Sequence, residues 1–407
     1  MHAVLLAAAL WIVAAGLMVL GTPYRDPFGQ LKWTDFVHFY TLGDIARHGP
    51  VSALYDPEAQ YRRQTELVPE SAPERYLPVY PPQIALVFAP FSRLPYHAAA
   101  WSWALLNFVV FGAIVWLAWR PLRAVLTDRA LIVAAAAAFP PVWSLVLSGQ
   151  TTALPMIAFS AGAIALSRGR PVLAGVALGL LFMKPQFGLM LAVVIVACRE
   201  WSLFAGVVLS GIVQSILVAG LLGSAVLRDY MRVVTYLPGI QGALEPSMDQ
   251  MHSLSAMTRV LPSPVGTVVW LTACVWVSWL TVRVWRNTTH VPVRMGALVI
   301  GSMLVNPHVN FYDVSVMAAP LLWISEVFES RSERLYELRH RWRLAVYAYY
   351  ALLLAPTARL ITSQLSPIVP LWLIYTLARV GVASPVREGG ANVDLTQDSA
   401  HVRSRTS

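Results

Sequence analysis

Asp35 and His38 stand three residues apart in Trp33-Thr-Asp-Phe-Val-His-Phe-Tyr40, after the first long apolar run of the chain. On a helix that spacing puts both side chains on one face. A carboxylate at the mouth of a helical bundle is suited to take a proton from a hydroxyl, because burial lifts its pKa towards working pH. His38 reads first as part of an amphipathic surface helix whose Phe36, Phe39 and Tyr40 lie in the headgroup layer, and second as a site histidine. Asp44, Asp56 and Glu58 read as solvated charges or turn formers.

The remaining polar motifs interrupt apolar sequence. Lys184 is one of only two lysines, with Lys32, and precedes Pro185-Gln186 inside a long hydrophobic region. One reading is snorkelling to the membrane interface. The other is a buried cation facing a cavity, suited as a point charge to a lipid-linked phosphate. Asn306-Pro307-His308, followed by Tyr312-Asp313, breaks two apolar segments and crowds His308 and Asp313 at one helix entrance. Gln150 in Ser148-Gly-Gln150 and His252-Ser253 read as turn and cap residues with a secondary binding role. No spacing is that of a metal site. No cofactor is expected, although a divalent cation at Asp35 stays open.

The elements that must position these groups are membrane helices. The 407 residues are 57% hydrophobic and only 13% charged, against about 25% charged in soluble domains. The apolar runs have the length of spanning helices rather than of barrel strands. This predicts an all-α polytopic protein with about 12 transmembrane helices. They lie near 3–21, 98–119, 130–148, 151–167, 171–183, 186–198, 202–222, 265–283, 291–305, 311–328, 344–362 and 364–382. Residues 22–79 form a large first loop and 223–264 a second. Residues 80–95, short and cut by prolines, read as a re-entrant or interfacial helix. The tail 383–407 reads as disordered, leaving one domain over 1–382.

Cys198 and Cys274 lie in apolar runs and suggest no disulfide framework. The net charge of +9 comes from arginines in short inter-helix loops, a topology pattern rather than a nucleic-acid surface. Those arginines put 120–129, 168–170, 199, 283–294 and 331–343 in the cytoplasm. The loops 22–79 and 223–264, and the turns at Gln150, Lys184 and His308, then face outside. No Walker motif argues for an ATP-driven pump. Abundant Ala and Arg with little Lys suit a GC-rich genome, hence a bacterial plasma membrane.

At these residues the chain resembles the GT-C membrane glycosyltransferases, specifically glycosyltransferase family 87. The matching elements are Asp35-Phe-x-x-x-Tyr40, Leu54-Tyr-Asp-Pro57, Val79-Tyr-Pro-Pro82, Phe88-Ala-Pro-Phe-Ser-Arg-Leu-Pro95 and Trp103-Ala-Leu-Leu-Asn107. Ser148-Gly-Gln150, Lys184-Pro-Gln186, His252-Ser253-Leu254 and Asn306-Pro-His308 with Tyr312-Asp313 complete the set, which runs from the first span to about residue 328. His252 stands where a more amide-like residue is expected.

The resemblance implies a hexosyltransferase that takes a sugar, mannose first, from a polyprenyl-phosphate carrier. The sugar passes with inversion to a hydroxyl of a lipid or glycan acceptor outside the cytoplasm. Asp35 is then the general base, and Lys184 and His308 stabilise the leaving phosphate. Tyr80, Gln150, Gln186 and Tyr312 bind sugar hydroxyls, with Asp313 beside them. His38, Tyr40 and His252 are secondary candidates. Two alternatives remain: a secondary transporter or lipid flippase, whose broken helices and buried charges look alike, or a related enzyme using another lipid-linked sugar such as arabinofuranose.

Overall fold

The structure, a computed structural model, describes residues 1–122, 127–244, 251–329, 336–354 and 365–380. Among them the chain is helical and forms no strand. α1 (His2–Val19) leads to α2 (Thr34–His48), α3 (Pro57–Leu67) and the short α4 (Pro82–Phe88), and the long α5 (Tyr96–Trp119) follows. Next come α6 (Arg129–Ala137), α7 (Pro140–Ser148), α8 (Ala153–Ser167), α9 (Pro171–Leu178) and α10 (Leu189–Cys198), all shorter, before α11 (Trp201–Leu222). α12 (Ala225–Leu244) and α13 (Leu254–Thr258) belong to the second large loop. α14 (Ser263–Asn287), α15 (Val291–Val305), α16 (Ala318–Glu329), α17 (Tyr336–Leu354) and α18 (Ile368–Val380) complete the described chain. The tail expected at 383–407 lies outside the described residues, as do 245–250 and 355–364.

Proline sets many of these boundaries. Pro57, Pro82, Pro140 and Pro171 open α3, α4, α7 and α9, positions where the missing N–H costs nothing. The Phe139-Pro-Pro141 step bends α6 against α7 by 51°, as expected where proline removes a helical hydrogen bond. Lys184, ahead of Pro185, is driven out of helical geometry between two 3-10 turns. Polar side chains are thus presented to the interior at breaks in otherwise apolar helices.

Among the described residues, five helices are long and apolar enough to cross a membrane: α1, Tyr96–Leu122, α11, α14 and Phe311–Glu329. The bent α6–α7 pair is a sixth if taken as one span. The expected spans at 151–167, 171–183, 186–198, 291–305 and 364–382 coincide with apolar helices of 10–17 residues, shorter than a straight crossing requires. By length and composition, five helices among the described residues are candidate crossings, six with the bent pair.

The buried apolar residues form two clusters. The larger joins α5, α7 to α10, α14 to α16 and α18. The smaller is built from α2, α4, the start of α5 and the end of α11, with Val218 and Leu222. Phe36 and Phe39 are fully buried. Phe39 stacks on Phe88 at 5.0 Å, and Phe36 meets Phe88 edge-on at 5.9 Å. Each ring contributes roughly 2 kcal/mol by burial. The expectation of a headgroup-facing aromatic row is therefore corrected, because α4 and α5 cover α2. Gly43 permits the approach, since a Cβ there would collide with the Phe88 carbonyl.

Candidate active site

Asp35 lies in the first turn of α2 and is only partly exposed. The turn is set by Trp33, which holds the left-handed conformation at φ 52°, a strained state for a non-glycine residue and one that clusters at functional sites. Tyr76 fixes the next residue, donating to the Thr34 carbonyl and lying 3.2 Å from its hydroxyl. Burial pushes the Asp35 carboxyl up to about 6. A hydrogen bond from Gln150 and the charge of Lys184 act downwards, while Asp313 and Glu74 act upwards. Asp35 has no ion-pair partner among the described residues. The result is a carboxylate ready to take a proton near neutral pH.

Gln150 is positioned by a frame of its own. Gly149 ends α7 in the left-handed conformation, and a Cβ there would lie 2.6 Å from Cβ of Phe36. Only glycine lets this turn close on α2. On α5, Trp103 Nε1 donates to the Gly149 carbonyl at 2.9 Å, and Asn107 Nδ2 donates to the Gln150 carbonyl at 3.2 Å. With its backbone pinned, the Gln150 side chain reaches Asp35 and the Tyr80 hydroxyl, the latter at 3.4 Å.

Lys184 does not snorkel. It is buried and ion-paired with Asp313. Thr152 completes a triangle: its hydroxyl donates to Asp313 Oδ1 at 2.6 Å and accepts from Lys184 Nζ at 3.0 Å. Asp313 Oδ2 accepts from the Asn310 backbone N–H at 3.3 Å, forming a capping box that starts the 3-10 turn before α16. Lys184 Nζ also lies 5.3 Å from the Tyr312 ring centre. Tyr312 hydrogen-bonds Asn310 and lies within the fields of Asp35 and Tyr80.

Five expected site residues, Tyr80, Gln150, Lys184, Tyr312 and Asp313, thus gather around Asp35. Gln186 sits partly buried two residues beyond Lys184, and no described hydrogen bond joins it to the cluster. His308 is partly exposed at the turn after α15, its backbone N–H donating to Asn306 Oδ1 at 2.9 Å. It is not among the groups named above as acting on Asp35. His38 corrects the expectation of a surface helix: it is buried and stacked on Tyr76 at 5.0 Å, and its Nε2 has no partner among the described residues. Burial lowers its pKa to about 3, so the ring is neutral.

Tyr40 points elsewhere and donates to the Leu94 carbonyl at 2.8 Å. His252 is buried, with Nδ1 2.7 Å from the Ser366 hydroxyl, and its backbone N–H donates to Val309 at 2.8 Å. It fastens the second loop rather than joining the cluster. Asp44 is likewise corrected from a solvated charge, being buried against Arg63 at 2.6 Å and His48 at 3.0 Å. Thr152 is the site residue that the sequence reading missed: it closes the polar break Ser148-Gly-Gln-Thr-Thr152 and reads there as an ordinary start of α8.

Residues 79–307, more than half of the chain, match the model of glycosyltransferase family 87. The chain belongs to glycosyltransferase family 87. No curated protein and no solved structure matches it. Membership of glycosyltransferase family 87, with the long apolar helices, makes this a membrane glycosyltransferase and sets the transporter and flippase readings aside. The matched range contains Tyr80, Gln150, Thr152, Lys184, Gln186 and His252. Asp35, His308, Tyr312 and Asp313 lie outside it, so within this member of glycosyltransferase family 87 Asp35, Tyr312 and Asp313 join the site by geometry.

Proposed function

We propose that the protein transfers mannose from a polyprenyl-phosphate carrier to a hydroxyl of a lipid or glycan acceptor, inverting the anomeric carbon. The reaction takes place on the extracytoplasmic face of a bacterial plasma membrane. One observation carries this reading: among the described residues Asp35 is a carboxylate without a cation partner, raised by burial to about 6, in the same polar cluster as the lysine Lys184. Asp35 takes the acceptor proton as the acceptor oxygen attacks C1. The bond from C1 to the phosphate oxygen breaks, and its electron pair leaves with the polyprenyl phosphate. Lys184, held by Asp313 and Thr152, supplies a fixed cation for that developing charge, with the Tyr312 hydroxyl and His308 as further donors. Tyr80, Gln150 and Gln186 hold sugar hydroxyls.

In the GT-C arrangement of twelve crossings, the short apolar helices serve as tilted or broken spans shielded by their neighbours. Residues 80–95 then form a re-entrant wall of the lipid groove.

The test incubates membranes carrying the wild-type protein or Asp35→Asn with radiolabelled polyprenyl-phosphate-mannose and a host lipid and glycan extract. Labelled product in wild type alone is expected. Equal product from the variant would remove Asp35 as base. Product from labelled polyprenyl-phosphate-arabinofuranose, and none from the mannose donor, would replace the sugar.

A further inference from the structure

A cavity of about 360 Å³ opens where α1 ends and α5 begins. Its walls include Met18, Thr22, Lys32, Trp33, His97 and Trp101. That volume is within the ~300–1,000 Å³ range of small-molecule sites. The cavity is distinct from the Asp35 cluster. His97 and Trp101 line it from one side of α5, whereas Trp103 and Asn107 hold the Gly149-Gln150 turn from another.

Lys32 gives this cavity its chemistry. The residue is only 4% exposed, and Nζ donates to the carbonyl oxygens of Met18 and Thr22, each at 2.8 Å. Those contacts fix the end of α1, whose last carbonyls favour a cation. An ammonium has three donors, and among the described residues Lys32 has no third acceptor and no carboxylate. Lys184, the other lysine, is neutralised by Asp313. A buried cation without an anion is unfavourable, so an anion entering the cavity gains both the free donor and the charge.

The mouth of the cavity identifies the anion further. α1 is apolar and almost unburied along its length, which marks it as a lipid-facing helix. Val19 is 75% and Trp101 52% exposed at the rim, and tryptophan is enriched at headgroup level. A free anion would satisfy Lys32 alone, whereas an anionic amphiphile also covers the exposed rim.

We propose that this cavity binds the phosphate of an anionic phospholipid headgroup, separately from the sugar-transfer site. Its acyl chains lie along the outer face of α1 and α5. The bound headgroup braces Trp33, the strained residue that opens α2, and so couples the surrounding lipid to the helix carrying Asp35.

The test is native mass spectrometry of the full-length protein in detergent, titrated with dioleoylphosphatidylglycerol or with dioleoylglycerol, which lacks the phosphate. The variants are Lys32→Met and Val19→Trp. The second fills the mouth from an exposed position and leaves the Lys32 contacts intact, so it carries the test if Lys32→Met does not fold. Wild type is expected to retain one phosphatidylglycerol, with at least about tenfold weaker retention in both variants and in the phosphate-free lipid. Equal retention by Val19→Trp, or of dioleoylglycerol by wild type, would overturn the proposal. So would displacement of the lipid by an equal concentration of inorganic phosphate, which would make this a site for free anions.

Discussion

Asp313 and Asp35 lie in one polar cluster and feel each other's charge, yet they are held in opposite ways. Asp313 has a lysine, a threonine hydroxyl and a backbone N–H as partners. Among the described residues Asp35 has a hydrogen bond from Gln150 and Lys184 only at a distance, and its pKa rises to about 6. A carboxylate that is desolvated without a cation beside it gains by taking a proton. In the proposed reaction the pair divides the labour: Asp313 orients the cation and Asp35 exchanges the proton.

The largest expected difference is in rate. Asp35→Asn should lower transfer by about 10²- to 10⁴-fold, the usual worth of a general base, measured as product formed at saturating donor. The same variant should not lose stability. Below the unfolded value of 3.8 both states of Asp35 are protonated. Between 3.8 and about 6 the unfolded chain ionises this group while the folded chain keeps it protonated, so stability falls across that window and levels off above it. Neutral asparagine avoids a penalty on the order of 3 kcal/mol at pH 7, so its melting temperature should match or exceed wild type.

Asp313 should behave the other way. Removing one partner of a buried ion pair costs about 3–5 kcal/mol, so Lys184→Met and Asp313→Asn should each lower the melting temperature clearly. A paired replacement, Lys184→Met with Asp313→Leu, should cost less than the two single changes added together. Additivity in that cycle would mean that the pair is not coupled.

Gln150→Leu sharpens the contrast through pH. Wild-type transfer should fall on acidification with a midpoint near 6, as Asp35 protonates. Loss of the Gln150 hydrogen bond, which acts downwards on Asp35, should move that midpoint to higher pH; a move to lower pH would contradict the assignment. The smallest effect is expected from Tyr40→Phe. It loses one hydrogen bond to Leu94, worth about 1 kcal/mol, and should leave the pH midpoint in place.

Much of the cluster was legible because the chemistry stands out against apolar sequence. Asp35, Lys184 and Asp313 are charges beside or within hydrophobic runs, and Gln150 and Tyr80 adjoin Gly and Pro breaks. What could not be read were the pairings. Lys184 and Asp313 are 129 positions apart, and no periodicity connects them. Asp44 finds Arg63 only because α2 and α3 pack together. Phe36, Phe39 and His38 were misplaced at the surface because a covered helix and an interfacial one share the same aromatic pattern. The crossings divided for a related reason: proline and polar breaks were visible, but whether a short apolar helix spans depends on neighbours that the local sequence does not name.

The most direct test of this account compares Asp35→Asn with Asp313→Asn in one preparation, following transfer rate across the acid limb and melting temperature together. The account predicts that Asp35→Asn lowers transfer by about 10²- to 10⁴-fold, with no acid limb in the residual activity, and does not lower the melting temperature. It predicts that Asp313→Asn lowers the melting temperature and keeps an acid limb in whatever transfer remains. An acid limb that survives in Asp35→Asn and disappears in Asp313→Asn would contradict it and make Asp313 the base.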